Sequence, residues 1–141
     1  MSNKFNILFR ACDKVESVHN VSRVFGLNKI QTIKVCFYSM YQSLNFFRYN
    51  FVVIGDDLST ELLDFFNKFN DVIVDNEKLG SVAKSLQKQI DIALSIPDDE
   101  WVYMCEDDYL HSPQAFKYIS EFIENKEKYL KTSSKKKNYM N

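Results

Sequence analysis

Short apolar runs alternate along the chain with stretches in which apolar residues recur at helical spacing. The apolar runs have the length of buried strands, and the last three are rich in Val, Ile, Tyr or Trp. They predict strands over residues 6–9, 51–55, 71–74 and 101–105. The helical spacing predicts helices over residues 33–44, 62–69, 82–94 and 116–123.

Start signals accompany three of the helices. Ser59 and Ser81 are N-cap candidates, and Ser112 before Pro113 predicts a helix whose first residue is the proline. Residues 14–29 are polar and without periodicity, which predicts a long ordered or functional loop. Strands that alternate with helices long enough to be crossovers predict an α/β fold, with a Rossmann-like, mostly parallel sheet flanked by helices.

Length and composition indicate one domain. The chain has 141 residues, and its 45% hydrophobic content is enough for a single core. We assign residues 1–128 to the α/β domain and residues 129–141 to a lysine-rich polar tail. The tail is interpreted as solvated and partly disordered in preference to a basic binding arm.

Charge and cysteine usage exclude several classes of protein. Lys and Arg number 18 against 19 Asp and Glu, so no overall basic field favours nucleic acid or an anionic membrane. The sequence shows no signal peptide, and no apolar run reaches the length of a membrane span. Three widely spaced cysteines argue against a disulfide framework and a zinc site, so we expect a cytoplasmic protein.

Acidic residues follow every predicted strand. The carboxyl ends of parallel strands meet at one edge of the sheet, where ligands bind in this architecture. Carboxylates crowded there raise each other's pKa unless cations or hydrogen-bond donors compensate them. Mg²⁺ or Mn²⁺ would do so and leave coordination positions for phosphate oxygens. The residues at the strand ends are Arg10 and Asp13, then Asp56 and Asp57, then Asp75, and finally Glu106, Asp107 and Asp108.

Simpler interpretations exist for some of these residues. Asp56, Asp57 and Asp75 could each be only a helix cap or an Asx turn. The triplet 106–108 differs, because it directly follows a strongly apolar strand and at least one carboxylate would lie near the buried sheet edge. His111 is close to the triplet in sequence, but a solvent-facing or capping histidine is the simpler interpretation.

Other phosphate-binding and catalytic motifs are missing from the sequence. With only three glycines, neither G-x-G-x-x-G nor G-x-x-x-x-G-K-[ST] can be written. G-x-S-x-G and H-E-x-x-H do not occur in the sequence. With only two histidines, the chain offers few candidates for the base of a nucleophilic triad.

The acidic segments resemble a known family. Residues 101–111, WVYMCEDDYLH, resemble the acidic D-x-D-type motif of GT-A glycosyltransferases, particularly the family-2-like enzymes. Residues 51–60, FVVIGDDLST, resemble their second strand, and residues 7–13, ILFRACD, resemble their first strand and nucleotide-contacting loop. Residues 79–94 are similar to the segment before the acidic motif. Together these segments cover most of residues 5–125, and the acidic motif is the most specific.

The resemblance implies a donor site for a nucleotide-diphosphate sugar. Arg10 and Asp13 lie in the nucleotide-contacting segment, and Asp13 with Asp56 or Asp57 would contact the base and ribose. Glu106 and Asp107 would lie near the ribose and sugar. Asp108, with Asp107 beside it, would bind the Mn²⁺ or Mg²⁺ that bridges the two phosphates. The implied reaction is transfer of the sugar to an acceptor of unknown type, a glycan, a lipid or a protein.

One departure keeps other functions open. Family members continue into further strands that carry the acceptor pocket and the general base, whereas here one predicted helix and the tail follow, with Glu121, Glu124 and Glu127 on a solvated face. A non-catalytic or split nucleotide-sugar-binding module is the alternative, completed by a second chain or a homo-oligomer. A receiver-like signalling domain is a third hypothesis, but it needs a lysine at the end of a later strand.

Overall fold

The computed structural model describes residues 4–14 and 23–136. Within these ranges, four strands alternate with four helices, which confirms the predicted α/β fold. A single 3₁₀ turn, Val24–Gly26, precedes the first helix. The elements in chain order are β1 (Lys4–Ala11), α1 (Lys29–Ser43), β2 (Arg48–Asp56), α2 (Thr60–Phe66), β3 (Val72–Glu77), α3 (Val82–Leu94), β4 (Trp101–Glu106) and α4 (Ala115–Lys136).

The sheet is parallel throughout, with strand order β3-β2-β1-β4. Leu8 in the middle of β1 is in register with Val52 of β2 and Met104 of β4. The chain therefore builds outward from β1 to β3 and then returns to place β4 on the other side of β1. This reversal creates a topological switch point between β1 and β4, which is where open α/β sheets form a ligand crevice.

One face of the sheet carries the main core. Phe5, Ile7 and Phe9 alternate along β1 and pack in one buried cluster with residues of α1, α2 and α4. Phe37 of α1 is at the centre of an aromatic group, and its ring centroid lies 5.0 Å from that of Phe66. Such edge-to-face contacts add to the free energy gained by burying the rings.

Helix α3 packs on the opposite face, across the switch point. The side-chain amide of Gln89 is buried and donates to the backbone carbonyl of Leu8 in β1 at 2.7 Å and to that of Cys105 in β4 at 3.3 Å. Because a buried amide must find such acceptors, Gln89 positions α3 against these two strands.

Several predicted boundaries were wrong. Strand β3 extends to Glu77, so Asp75 lies inside the strand and not after it. Helix α2 ends at Phe66, three residues before the predicted end. Helix α4 begins at Ala115, because residues 113–114 form a turn in which the Ala115 amide bonds to the Ser112 carbonyl. Pro113 is therefore not the first helical residue.

The predicted caps and loop had mixed outcomes. Ser81 caps α3, and its side chain accepts a hydrogen bond from the Lys84 amide. Ser59 is at the N-cap position of α2 but makes no side-chain capping bond. Asn28 forms a capping box with Gln31 at the start of α1, a signal that the sequence interpretation missed. Residues 15–22 of the predicted loop lie outside the described ranges.

Helix α4 continues to Lys136, so the backbone is helical through much of the lysine-rich segment 129–141. Residues 137–141 lie outside the described part of the chain. None of the helices in the described ranges is long and apolar enough to cross a membrane.

Candidate functional site

A cavity of about 410 Å³ opens at the carboxyl-terminal edge of the sheet, beside the switch point between β1 and β4. Its volume is within the range of small-molecule sites. Charged side chains of both signs line it. The acidic ones are Asp56, Asp57, Glu106, Asp107 and Asp108. The basic ones are Arg10, Lys14, Arg23, Lys29 and Lys78.

Asp107 connects three segments of the chain. Its carboxylate is buried and accepts hydrogen bonds from the Cys12 amide at 2.9 Å and from the Lys29 ammonium at 2.7 Å. Burial raises the pKa of Asp107 above its ordinary value, although Lys29 and the Cys12 amide act in the opposite direction. Asp107 therefore holds the loop after β1 and the first turn of α1 against the end of β4.

Glu106 is paired across the crevice. The Arg10 guanidinium at the end of β1 forms an ion pair with the Glu106 carboxylate and also donates to the Ser85 hydroxyl on α3 at 3.1 Å. Arg10 is in register with Glu106 on the neighbouring strand, which explains how the two side chains meet. Arg10 therefore joins β1, β4 and α3 on the floor of the crevice.

Asp56 and Asp57 follow one another at the end of β2 but have different partners. The Asp56 carboxylate accepts hydrogen bonds from the Leu79 and Gly80 amides, at 2.8 and 2.9 Å, and thereby fixes the turn before α3. Asp57 has a left-handed backbone, with φ of 51°, and forms an exposed ion pair with Lys14. The hydrogen bond from Lys14 lowers the pKa of Asp57.

Asp13 and Asp75 do not line the cavity. The Asp13 carboxylate accepts a hydrogen bond from the backbone amide of Ser59 at 3.2 Å, which connects the loop after β1 to the residue before α2. Asp75 forms an ion pair with Lys88 of α3 at 2.7 Å. Asp75 lies within β3 and is therefore neither at the cavity nor the helix cap or Asx turn that the sequence also suggested.

Asp108 differs from the other acidic residues of the cavity in its contacts. Its side chain is exposed, and no residue in the described ranges forms a hydrogen bond or an ion pair with it. The other four carboxylates of the cavity are compensated by Arg10, Lys14, Lys29 and backbone amides. Repulsion between carboxylates therefore does not by itself require a divalent ion at this edge.

A preformed metal site of three or more Asp, Glu, His or Cys ligands is not found among the described residues. Asp108, which none of the described residues pairs with, would nevertheless suit a hard divalent ion that arrives with its ligand. Mg²⁺ in particular is commonly held by one or two carboxylates together with the phosphate oxygens of a substrate. Asp108 is suited to such a shared site, whereas both oxygens of Asp107 already accept hydrogen bonds.

Cys36, Cys105 and His111 are packed outside the cavity, whereas the half-buried free thiol of Cys12 belongs to a residue that lines it. Cys36 and Cys105 are buried free thiols, and burial, followed by the charges of Asp108 and Asp107, raises the pKa of Cys36 to about 11. Nδ1 of His111 is 3.1 Å from the Tyr109 carbonyl, to which it must donate. Nε2 of the neutral ring then accepts from the Tyr103 hydroxyl at 2.9 Å. His111 packs by β4 and does not line the cavity.

Sequence reasoning missed most of the basic residues of the cavity. Lys14, Arg23, Lys29 and Lys78 lie in loops or at the start of α1, and no local pattern distinguishes them from other surface cations. The only signal for Lys14 was its position directly after the acidic end of the first strand.

Comparisons of the chain with known protein families, with curated proteins and with solved structures found no match.

Proposed function

We propose that this chain binds a nucleotide-diphosphate sugar in the crevice between β1 and β4, as the donor-binding part of a metal-dependent glycosyltransferase. The observation that carries the proposal is the cavity at the topological switch point, which is lined by the Glu106-Asp107-Asp108 triplet and by residues that follow β1 and β2. The resemblance of residues 101–111 to the GT-A acidic motif is the reason for choosing a nucleotide-diphosphate sugar and a divalent metal ion as the ligands.

The residues of the crevice take different roles in this proposal. Asp56 or Asp57 forms the end that accepts the base and ribose, whereas Asp13 does not line the cavity and Arg10 is paired with Glu106. Glu106 is at the sugar end, and Asp107 keeps the two walls of the crevice together. Asp108 would hold a Mn²⁺ or Mg²⁺ ion at the diphosphate of the donor. The ion, when bound, would offset the negative charge that develops on the departing diphosphate.

The alternative is a module that binds the donor without transferring the sugar. Among the described residues, no acidic side chain after Asp108 lines the cavity. Glu121, Glu124 and Glu127 are exposed on α4. A general base for transfer would then come from an acceptor-binding partner, either a second chain or another copy of this one.

Calorimetry tests the proposal. The protein is titrated with UDP- and GDP-linked sugars in Mn²⁺ and in EDTA, and we expect saturable binding that is much tighter with the metal. A folded protein that binds none of these donors in Mn²⁺ would refute the proposal. Binding followed by hydrolysis or transfer of the sugar identifies an enzyme, and binding without turnover identifies the module.

A further inference from the structure

The basic side chains of the cavity exceed what its ion pairs use. Three of them are paired with carboxylates, and the partners are Arg10 with Glu106, Lys14 with Asp57, and Lys29 with Asp107. The fourth carboxylate, of Asp56, is satisfied by the backbone amides of Leu79 and Gly80. These seven charged side chains already have partners within the protein, so they are less available to contact a ligand.

Arg23 and Lys78 are the basic residues that remain. Both line the cavity, and no described residue forms a hydrogen bond or an ion pair with either side chain. Lys78 is near enough to Asp57 for its charge to help lower the pKa of that carboxyl, after the larger effect of Lys14. Among the described residues, five basic and five acidic side chains line the cavity, so their formal charges balance. Arg23 and Lys78 are the two cations that no described carboxylate pairs with, whereas Asp108 and the amide-bonded Asp56 keep their negative charge.

We infer that Arg23 and Lys78 contact a diphosphate group directly, so that the cavity binds diphosphate without a divalent ion. A guanidinium presents a rigid fork of donors that matches phosphate oxygens, and an ammonium adds a compact charge. Asp108 would repel a bare diphosphate, which limits this affinity and leaves room for a metal ion to increase it. The inference rests on the proposed function only in assigning the diphosphate to a nucleotide sugar.

Binding of inorganic pyrophosphate in EDTA tests the inference. Calorimetry compares the wild type with Arg23→Gln, Lys78→Gln and the double variant. Lys68→Gln is the matched control, because Lys68 is an exposed lysine that does not line the cavity. We expect the wild type and the control to bind pyrophosphate, each single variant to bind about tenfold more weakly, and the double variant to lose more, since charged hydrogen bonds are removed.

The same titrations separate this inference from the proposed function. Absence of pyrophosphate binding in EDTA, or equal losses in Lys68→Gln and Arg23→Gln, would overturn the inference. Donor binding that strictly requires Mn²⁺ would then leave the proposed function intact. Pyrophosphate binding without any affinity for nucleotide sugars would support the phosphate site and refute the proposed function. Neither Arg23 nor Lys78 has a side-chain partner among the described residues, so the variants should unfold in urea as the wild type does. This comparison checks that the variants are folded.

Discussion

Lys29 and Asp107 form an ion pair with 2.7 Å between Nζ and Oδ1, and both side chains are largely shielded from solvent. The pair links the first residue of α1 to the turn after β4, and Asp107 also accepts from the Cys12 amide in the loop after β1. The wall of the crevice therefore depends on one carboxylate that three separate segments of the chain share.

Removal of Asp107 should destabilise the protein strongly. Asp107→Ala leaves the Lys29 ammonium without its partner, and we expect the free energy of unfolding to fall by about 3 kcal/mol, as for other broken buried pairs. The double variant Asp107→Ala with Lys29→Met should lose less, because no uncompensated charge remains. Urea unfolding measures both values. Equal losses in the single and the double variant would contradict this account of the pair.

Phe37 should be among the most sensitive positions of the core. Its ring is fully buried and contacts the rings of Phe9, Phe51 and Phe66. We expect Phe37→Ala to lower the free energy of unfolding by about 4 kcal/mol, the sum of lost burial and a residual cavity. Tyr38→Ala on the exposed side of the same helix is the control and should cost less than about 1 kcal/mol. Similar losses in the two variants would show that α1 is packed differently.

Gly55 near the end of β2 should not tolerate a side chain. A Cβ atom there would lie 2.6 Å from both the Asn76 Oδ1 and the Leu58 Cδ1. The same Asn76 oxygen accepts from the Leu58 amide, so relief of the clash would weaken this hydrogen bond. We expect Gly55→Ala to cost about 2 kcal/mol in thermal or urea unfolding through overpacking. An unchanged free energy of unfolding would be incompatible with this close approach.

His111 should make stability depend on pH in mildly acidic solution. Burial lowers the pKa of His111 below its ordinary value of 6.5, with the Tyr109 carbonyl acting in the opposite direction. Between the native pKa and 6.5 the unfolded chain binds more protons, so this contribution to stability is complete above 6.5 and is lost as the pH falls through that window.

Unfolding in urea at about pH 7.5 and about pH 5.5 measures the loss, and the range is one in which histidine is the main side chain to titrate. His111→Gln should have a smaller difference between the two pH values than the wild type. The acidic groups and His19 are common to both proteins, so they cancel in the comparison. An identical pH dependence in the variant would show that His111 is not the residue responsible.

The α/β fold was predictable because its signals are local. Apolar runs and helical spacing specified the four strands and four helices, and Ser81 marked the start of α3 correctly. Boundaries were less accurate where polar residues extend a strand: Asp75 was expected after β3, yet it lies within the strand and pairs with Lys88. A strand end of this kind depends on backbone pairing with β2, which residue type does not reveal.

The site was predictable in part, because Arg10 and most of the acidic residues were expected at this edge, although Asp13 and Asp75 were expected there and do not line the cavity. Parallel strands bring their carboxyl ends to one edge, and from this rule we expected Asp56, Asp57 and the triplet 106–108 to lie together, as they do around the cavity. The other basic partners could not be predicted, because residues such as Lys29 and Asp107 are 78 positions apart and meet only through the strand order. The expected need for a metal followed from counting the carboxylates without these partners.

Calorimetric binding of the nucleotide-sugar donor to the Asp108→Asn variant tests the central proposal most directly. Asp108 is exposed and has no partner among the described residues, so the substitution should change the free energy of unfolding by less than about 0.5 kcal/mol. Asp99→Asn, at an exposed acid outside the cavity, is the matched control. We predict that Asp99→Asn keeps the Mn²⁺-dependent binding and Asp108→Asn loses it. Undiminished Mn²⁺-dependent binding in a folded Asp108→Asn protein would contradict the assignment of this crevice as the donor site.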